Sequence, residues 1–464
     1  MENKLRMSKI WAWLLGLVVL VAIGFLLACG TTYNSSSDGL VLVTSQGAGL
    51  VETWSFSLGS GHTAAVQNSP NDTANQVCVL NAIPSSIVVV PGGAYAYTLL
   101  TPNASDCTGG SPITTEGIAT FNVNSNGTLT QTGKLTTFAT YSVGVCLGGA
   151  GVAPTIETVP ANPKTLVMDS AGKFLFVADS STLDTGGNAA PGAVSVFAIG
   201  SGGSLTEVAG SPFTVPVSCA APPSNLTWVA PTPTAAPPLL FGQSQSVCSA
   251  PNPFPTSEYL YAVDSNDNGG VWEFAVNTST GVLTAPPGFG SPQYVPSGAR
   301  PSGVIVDPCD RFVYVSNAIS NNISAYRICT SATANTIPPC IADNGQLFAI
   351  TGSPYSLSNG AQGPGPLVVD VYGNYLYVLD TISNTISPFR ISGVTGALSI
   401  MNPATVATGQ GATSIVIRSD DNWVFVTNYI AATVSQYALA PGTGQLSPQL
   451  PINTDNYPYG VAVK

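Results

Sequence analysis

Charge is what this 464-residue chain has least of. Asp, Glu, Lys and Arg together make up 8% of it, as 12 basic and 23 acidic residues, and there is one histidine, His62. So few cations exclude a nucleic-acid surface, whose phosphates need clustered Lys and Arg. One histidine excludes the HExxH zinc motif and multi-histidine metal centres, and neither a Walker sequence nor a nucleophile elbow is present. His62 itself falls in a Gly- and Ser-rich turn and reads as a solvated loop residue. No long segment has a helical period. In its place 48 glycines and 37 prolines separate short β-branched and aromatic runs, the composition of an all-β chain with many tight turns.

The one long apolar run covers residues 10–28. Lys4, Arg6 and Lys9 precede it, and Leu26-Leu27-Ala28-Cys29 closes it. That ending resembles the lipobox of bacterial lipoproteins, which implies cleavage after Ala28 and a lipid on the Cys29 thiol; an uncleaved membrane helix is the alternative. Residues 1–28 are then a signal peptide and residues 29–39 a lipidated cysteine with a polar tether. Gly30, not Asp, after the cysteine points to the outer membrane of a Gram-negative cell. The remaining chain has nine Lys and Arg against 22 Asp and Glu, so the lipid would be its sole hold on a membrane.

Residues 40–464 are repetitive. Seven short apolar strands share one design: Ile87-Val88-Val89-Val90, Leu166-Val167-Met168-Asp169, Leu226-Thr227-Trp228-Val229, Val304-Ile305-Val306-Asp307, Leu367-Val368-Val369-Asp370, Ile415-Val416-Ile417-Arg418 and Val461-Ala462-Val463-Lys464. Pro84, Pro163, Pro223, Pro301, Pro364 and Pro458 stand three residues ahead of six of them, and Ala412 ahead of the other. A second, aromatic strand follows each, as at residues 95–100 and 312–317. A third with alternating faces comes next, then a Gly-x-Leu turn into a fourth. Four antiparallel strands repeated seven times predict a seven-bladed β-propeller. The repeat begins on a second strand at Leu40 and finishes on an inner strand at Val461, so one blade is expected to draw on both, closing the ring. A Pro- and Ser-rich insertion at residues 231–257 is placed between the first two strands of blade four; the alternative is that Leu239 to Gln243 supplies its inner strand.

Besides Cys29, eight cysteines remain, and an exported compartment would oxidise them. Alternate connections of an up-and-down blade share a face. Cys78, Cys107, Cys146 and Cys219 therefore fall on one face and Cys248, Cys309, Cys329 and Cys340 on the other. Neighbourhood favours Cys78 with Cys107, Cys146 with Cys219, Cys248 with Cys309 and Cys329 with Cys340, although eight cysteines allow 105 connectivities.

The segments Pro301-Ser302-Gly303-Val304-Ile305-Val306-Asp307, Phe312-Val313-Tyr314-Val315-Ser316-Asn317 and Gly352-Ser353-Pro354-Tyr355 resemble the lactonase propellers, a family with 6-phosphogluconolactonase-like members. Tyr314-Val315-Ser316-Asn317 and Phe425-Val426-Thr427-Asn428 resemble the YVTN repeat of bacterial surface propellers. The lactonase resemblance implies a site of His, Arg and Glu at one mouth of the channel. Here the basic residues beside that mouth are Arg300, before Pro301, and Lys164, after Pro163; no histidine matches. Lactone hydrolysis needs a base for water and a cation for the oxyanion, and the sequence displays only the cation.

Two polar rings complete the reading. Asp169, Asp307 and Asp370 end inner strands and suit tight turns, while Asp179, Asp264, Asn317, Asp380 and Asn428 end second strands and suit Asx turns. Asp264, Asn266 and Asn268 match the first half of a calcium loop, but Ala275 stands where its last acidic ligand belongs, so calcium is the one metal the sequence leaves open. The expectation is a monomeric, lipid-anchored envelope propeller that binds a protein or glycan partner. The alternative is a lactone hydrolase with Arg300 and Lys164 holding an anionic group of the substrate.

Overall fold

A computed structural model describes residues 39–47, 49–57, 63–66, 77–78, 82–102, 116–146, 154–183, 188–217, 224–231, 258–329, 344–358, 360–420 and 422–464. These residues form a seven-bladed propeller of antiparallel sheets. Cys29 and His62 lie outside them, as do Pro223 and most of the 231–257 insertion. Among the described residues no helix is long and apolar enough to cross a membrane.

Blade one is built from both parts of the chain, as expected. Pro458–Val463 is its inner strand and pairs with Gly39–Ser45, which pairs with Leu50–Phe56. The inner strands of blades two to seven are Ala82–Val89, Pro163–Met168, Leu226–Pro231, Pro301–Val306, Pro364–Val369 and Ala412–Ile417. In blade four Leu226 pairs with Asp264 as Pro163 pairs with Asp179. Leu226 thus takes the place assigned to Pro223, and the register runs three residues later than the proline pattern implies. The shift puts Val229 into the core position of Leu166 and Val304, and all three are buried.

The inner strands share a defect that explains the leading proline. In each blade the pairing of inner and second strands slips by a bulge beside the introducing residue, as between Pro163 and Thr165 or Pro301 and Gly303. Proline suits such a position because it gives up a ladder donor. Carbonyls freed there are taken by the preceding blade. Thr44 Oγ1 donates to Ser85 O at 2.7 Å, Thr165 Oγ1 to Thr227 O at 2.8 Å, Ser265 Oγ to Pro301 O at 2.6 Å, and Ser316 Oγ to Gly365 O at 2.7 Å. Blade two uses Ser86 on Leu166 O, and blade seven uses Thr427 on Tyr459 O. Between blades six and seven the polarity reverses, with Gly411 N donating to Asn384 Oδ1 at 2.6 Å.

Farther out, a second device joins the blades. The hydroxyls of Tyr97, Tyr261, Tyr314 and Tyr377 each donate to a glycine carbonyl in the next blade's third-to-fourth turn: Gly203, Gly345, Gly396 and Gly444. Those glycines have φ of 69–75°, and a Cβ on any of them would strike the aromatic ring that opens the preceding blade's second strand. The aromatic strand start and the Gly-x-Leu turn are therefore two halves of one contact. The outer strand is broken. In blade five Leu347–Ala349 and Tyr355–Ser356 both pair with Asn322–Ile328, and between them Ser353 Oγ accepts from Ala325 N at 2.9 Å. The Gly352-Ser353-Pro354-Tyr355 motif is this edge break, with Ser211 repeating it in blade three.

Candidate functional site at the channel mouth

Inner strands begin at one face of the ring, here called the upper face, and end at the lower. At the lower face Asp169, Asp307 and Asp370 are buried and each accepts two backbone N–H groups across its turn, for example Phe312 N to Asp307 Oδ1 at 2.8 Å. They close turns, as expected. Arg311 adds a charged pair with Asp307 and reaches Gly393 O of blade six, so it too is a clamp between blades.

At the upper face the residue after the introducing position recurs seven times: Ser85, Lys164, Thr227, Ser302, Gly365, Thr413 and Tyr459. Only Lys164 is charged. It is exposed, and its Nζ donates to Asn162 Oδ1 at 2.8 Å, while Asn162 Nδ2 donates to Ser181 O at 3.1 Å. Arg300 does not join it. Arg300 belongs to blade five, two blades on, has φ of 50°, and faces Asp267 at 3.5 Å with both side chains well exposed. An exposed pair of this kind is worth little, but it offsets the charge Arg300 would bring to an anion.

The acidic residue whose charge reaches Lys164 is Glu116, which the sequence did not reveal; the two form no ion pair, and Lys164 Nζ is held by Asn162. It directly precedes the third strand of blade two, Gly117–Val123. Gly117 pairs with Leu100 as Asn322 pairs with Asn317 and Thr385 with Asp380, so Glu116 shares a register with Asn321 and Asn384. Those two asparagines reach the start of the next blade's inner strand, Asn321 Oδ1 accepting from Gly363 N at 2.8 Å and Asn384 Oδ1 from Gly411 N. Glu116 occupies the equivalent place against blade three. Partial burial raises its pKa and the nearby Lys164 ammonium draws it back down. A register shared with two visible asparagines was the available signal, legible only once the strands are paired.

Asp179, which ends the second strand of blade three, is fully buried. Burial pushes it up to about 8, against the hydrogen bond from Ser195 Oγ at 2.6 Å and with a further push from Glu116. The ring to which Asp179 belongs does less turn-closing than its sequence suggests. Asn317 Nδ2 donates to Ser324, Asn428 Nδ2 to Ser435, and Asp380 accepts from Ser387, so these residues tie the second strand to third-strand serines. Only Asp264 accepts from a backbone N–H two residues on, that of Asn266 at 3.3 Å, and it also accepts from Asn225 N at 2.9 Å. Asn268 offers its carbonyl to Tyr294 Oη at 3.0 Å. The half calcium loop is thus folded onto its own backbone, and among the described residues no three His, Cys, Asp or Glu gather to hold a metal.

The mouth has an aromatic side. Tyr457, Pro458 and Tyr459 lead the inner strand of blade one, and Tyr429 follows the second strand of blade seven. Tyr429 and Tyr457 stack at 4.8 Å with 29° between planes, and Tyr459 stands edge-on to Tyr429 at 6.5 Å. The sulfurs of Cys146, Cys309 and Cys329 are disulfide-bonded. Each of the four pairings favoured from sequence includes at least one cysteine outside the described residues: Cys107, Cys219, Cys248 or Cys340.

Residues 349–457 match the family model described as "Lactonase, 7-bladed beta-propeller". This covers the outer edge of blade five, all of blades six and seven, and the approach to the closing strand. No curated protein matches the chain. Among solved structures it is similar to a periplasmic gluconolactonase of Pseudomonas aeruginosa, at 17% identity and TM-score 0.58 over 92% of this chain and 98% of that one. A Bacteroides fragilis protein assigned as a 6-phosphogluconolactonase gives 16% identity and TM-score 0.58 over 94% and 99%. A Lactobacillus plantarum protein gives 13% and 0.59 over 92% and 99%. Identities this low establish a shared fold. The family match adds that residues 349–457 are similar to the lactonase propellers.

Proposed function

We propose that this propeller hydrolyses a sugar-derived lactone at its upper mouth, with Glu116 as general base and Lys164 as the cation for the oxyanion. The observation that carries this reading is the register of Glu116, which sets it at the junction of blades two and three within electrostatic reach of Lys164. It supplies the base that was missing from the sequence, and with it the reason for preferring a binding-only scaffold weakens. Glu116 accepts a proton from water as the oxygen attacks the ester carbonyl, and Lys164 stabilises the tetrahedral oxyanion. Collapse breaks the ring C–O bond, and the Glu116 carboxyl returns its proton to the departing alkoxide. The product is a hydroxy acid whose carboxylate stays beside Lys164.

Two proteins of the same fold bear the names gluconolactonase and 6-phosphogluconolactonase. The charges at this mouth favour an unphosphorylated lactone. A phosphate dianion is held by several cations, whereas Lys164 here has the charge of Glu116 nearby and Arg300 faces Asp267. The test is turnover of glucono-lactone and its 6-phosphate by the mature chain, followed by pH titration. Lys164→Met and Glu116→Gln should each lower kcat/KM by 10²-fold or more. Undiminished turnover in both would remove these residues from the reaction.

We further propose that Cys29 carries a lipid that holds the propeller at the cell envelope. A Cys29→Ser protein that still partitions with membranes would refute this.

A further inference from the structure

Most buried tyrosines of this chain lend the hydroxyl to a carbonyl: Tyr97, Tyr141, Tyr261, Tyr314, Tyr377 and Tyr437 all do so. Tyr429, Tyr457 and Tyr459 differ. No hydrogen bond to another described residue engages their hydroxyls, and Tyr457 and Tyr459 keep 47% and 38% of their surface exposed at the rim of the channel. Their arrangement is nonetheless fixed. Tyr457 holds φ of 64°, a backbone state that side chains other than Gly and Asn adopt at a cost, and its carbonyl accepts from Gln46 N at 2.9 Å. The Tyr459 carbonyl is held by both Thr413 and Thr427. A strained, pinned tyrosine that stacks on a second one while keeping 47% of its surface exposed is a costly choice for a purely structural position.

We infer that Tyr429, Tyr457 and Tyr459 form a pyranose-binding platform. A sugar ring offers a flat face of C–H groups that packs on an aromatic face, with hydroxyls around its edge for partners such as tyrosine Oη, and tyrosine combines both properties at little conformational cost. Thr413 and Gly411 adjoin the platform, Thr413 Oγ1 donating to Tyr459 O and Gly411 O accepting from Tyr429 N, and neither brings charge. Tyr459 also shares its register with Lys164, two inner strands away around the same mouth. On the proposed lactonase reading, the substrate is therefore a lactone that carries a second sugar: the lactone ring lies at Lys164 and Glu116 and the glycosyl unit rests on the tyrosines.

The experiment is calorimetric binding to the mature chain of cellobiose and maltose, of the corresponding disaccharide aldonates, and of gluconate. At least one disaccharide aldonate should bind 10-fold or more tighter than gluconate. Tyr457→Gly, which suits the φ of 64° and should leave the melting temperature unchanged or raised, and Tyr459→Ala should each erase that excess while leaving gluconate affinity alone. An excess that survives both substitutions, or the absence of any excess, overturns the platform. Tyrosine-dependent binding of plain cellobiose or maltose without turnover of any lactone would uphold the platform and refute the hydrolase.

Discussion

Glu258 allows the sharpest test of how this fold treats charge. It opens the second strand of blade four, is 2% exposed, and neither carboxyl oxygen has a hydrogen-bond partner among the described residues. Burial pushes its pKa from 4.5 to about 8; Asp169 adds to the rise and Lys173 opposes it. The unfolded chain releases this proton near 4.5 and the folded chain near 8, so between those values the native state binds more protons. Stability must then fall as pH rises through that window, with the full cost reached above 8. At 1.36 kcal/mol per pH unit this is about 5 kcal/mol, comparable to the whole stability of many domains. Urea unfolding monitored by fluorescence at pH 5 and pH 9 should show the loss in wild type. In Glu258→Gln the difference between the two pH values should shrink by several kcal/mol. The glutamine amide adds its own burial cost, but that cost is the same at both pH values and cancels in the difference. An unchanged difference would mean that Glu258 is solvated or paired in the folded protein, and the reasoning from burial would fail.

Other expectations follow from the same geometry. Because burial raises the Glu116 carboxyl, the acid limb of a lactonase pH profile should lie above 4.5 and should vanish in Glu116→Gln, as read from kcat/KM against pH. Tyr377→Phe leaves the Gly444 carbonyl without its donor and should cost about 1–2 kcal/mol in urea unfolding with little effect on the mouth. Gly396→Ala places a Cβ 2.5 Å from Phe312 at φ of 73°, and should cost about 2–4 kcal/mol by the same measure. Deleting residues 458–464 removes the inner strand of blade one and should abolish the cooperative transition altogether.

The blade count, strand order and ring closure could be read from the chain because each blade repeats the same local solution seven times, so errors in one copy are corrected by the others. Blade four shows where that fails. Pro223 sits three residues before an apolar run as its counterparts do, but the pairing of Leu226 with Asp264 decides the register, and pairing is a long-range property. The candidate site was half legible for a related reason. Lys164 and Arg300 stand next to the repeated proline and could be aligned, whereas Glu116 precedes a third strand, where the repeat has no invariant landmark. The tyrosines were visible as residues, but their stacking joins positions 429 and 457 across two blades. Asp264, Asn266 and Asn268 matched a cation loop in spacing, and spacing alone says nothing about which way the carboxylate turns.

The strand Pro458–Val463 serves two ends at once. It closes the ring by pairing with Gly39–Ser45, and it carries Tyr459, with Tyr457 directly ahead of it. A folding intermediate in which this strand has not yet docked has blades two to seven and Lys164, yet no complete aromatic face. Any ligand that rests on that face binds the closed ring in preference to the open one, and so holds the seam shut by mass action. Occupancy of the mouth and the lifetime of the folded chain are then linked quantities, and a bound sugar lengthens the time this protein survives proteolysis.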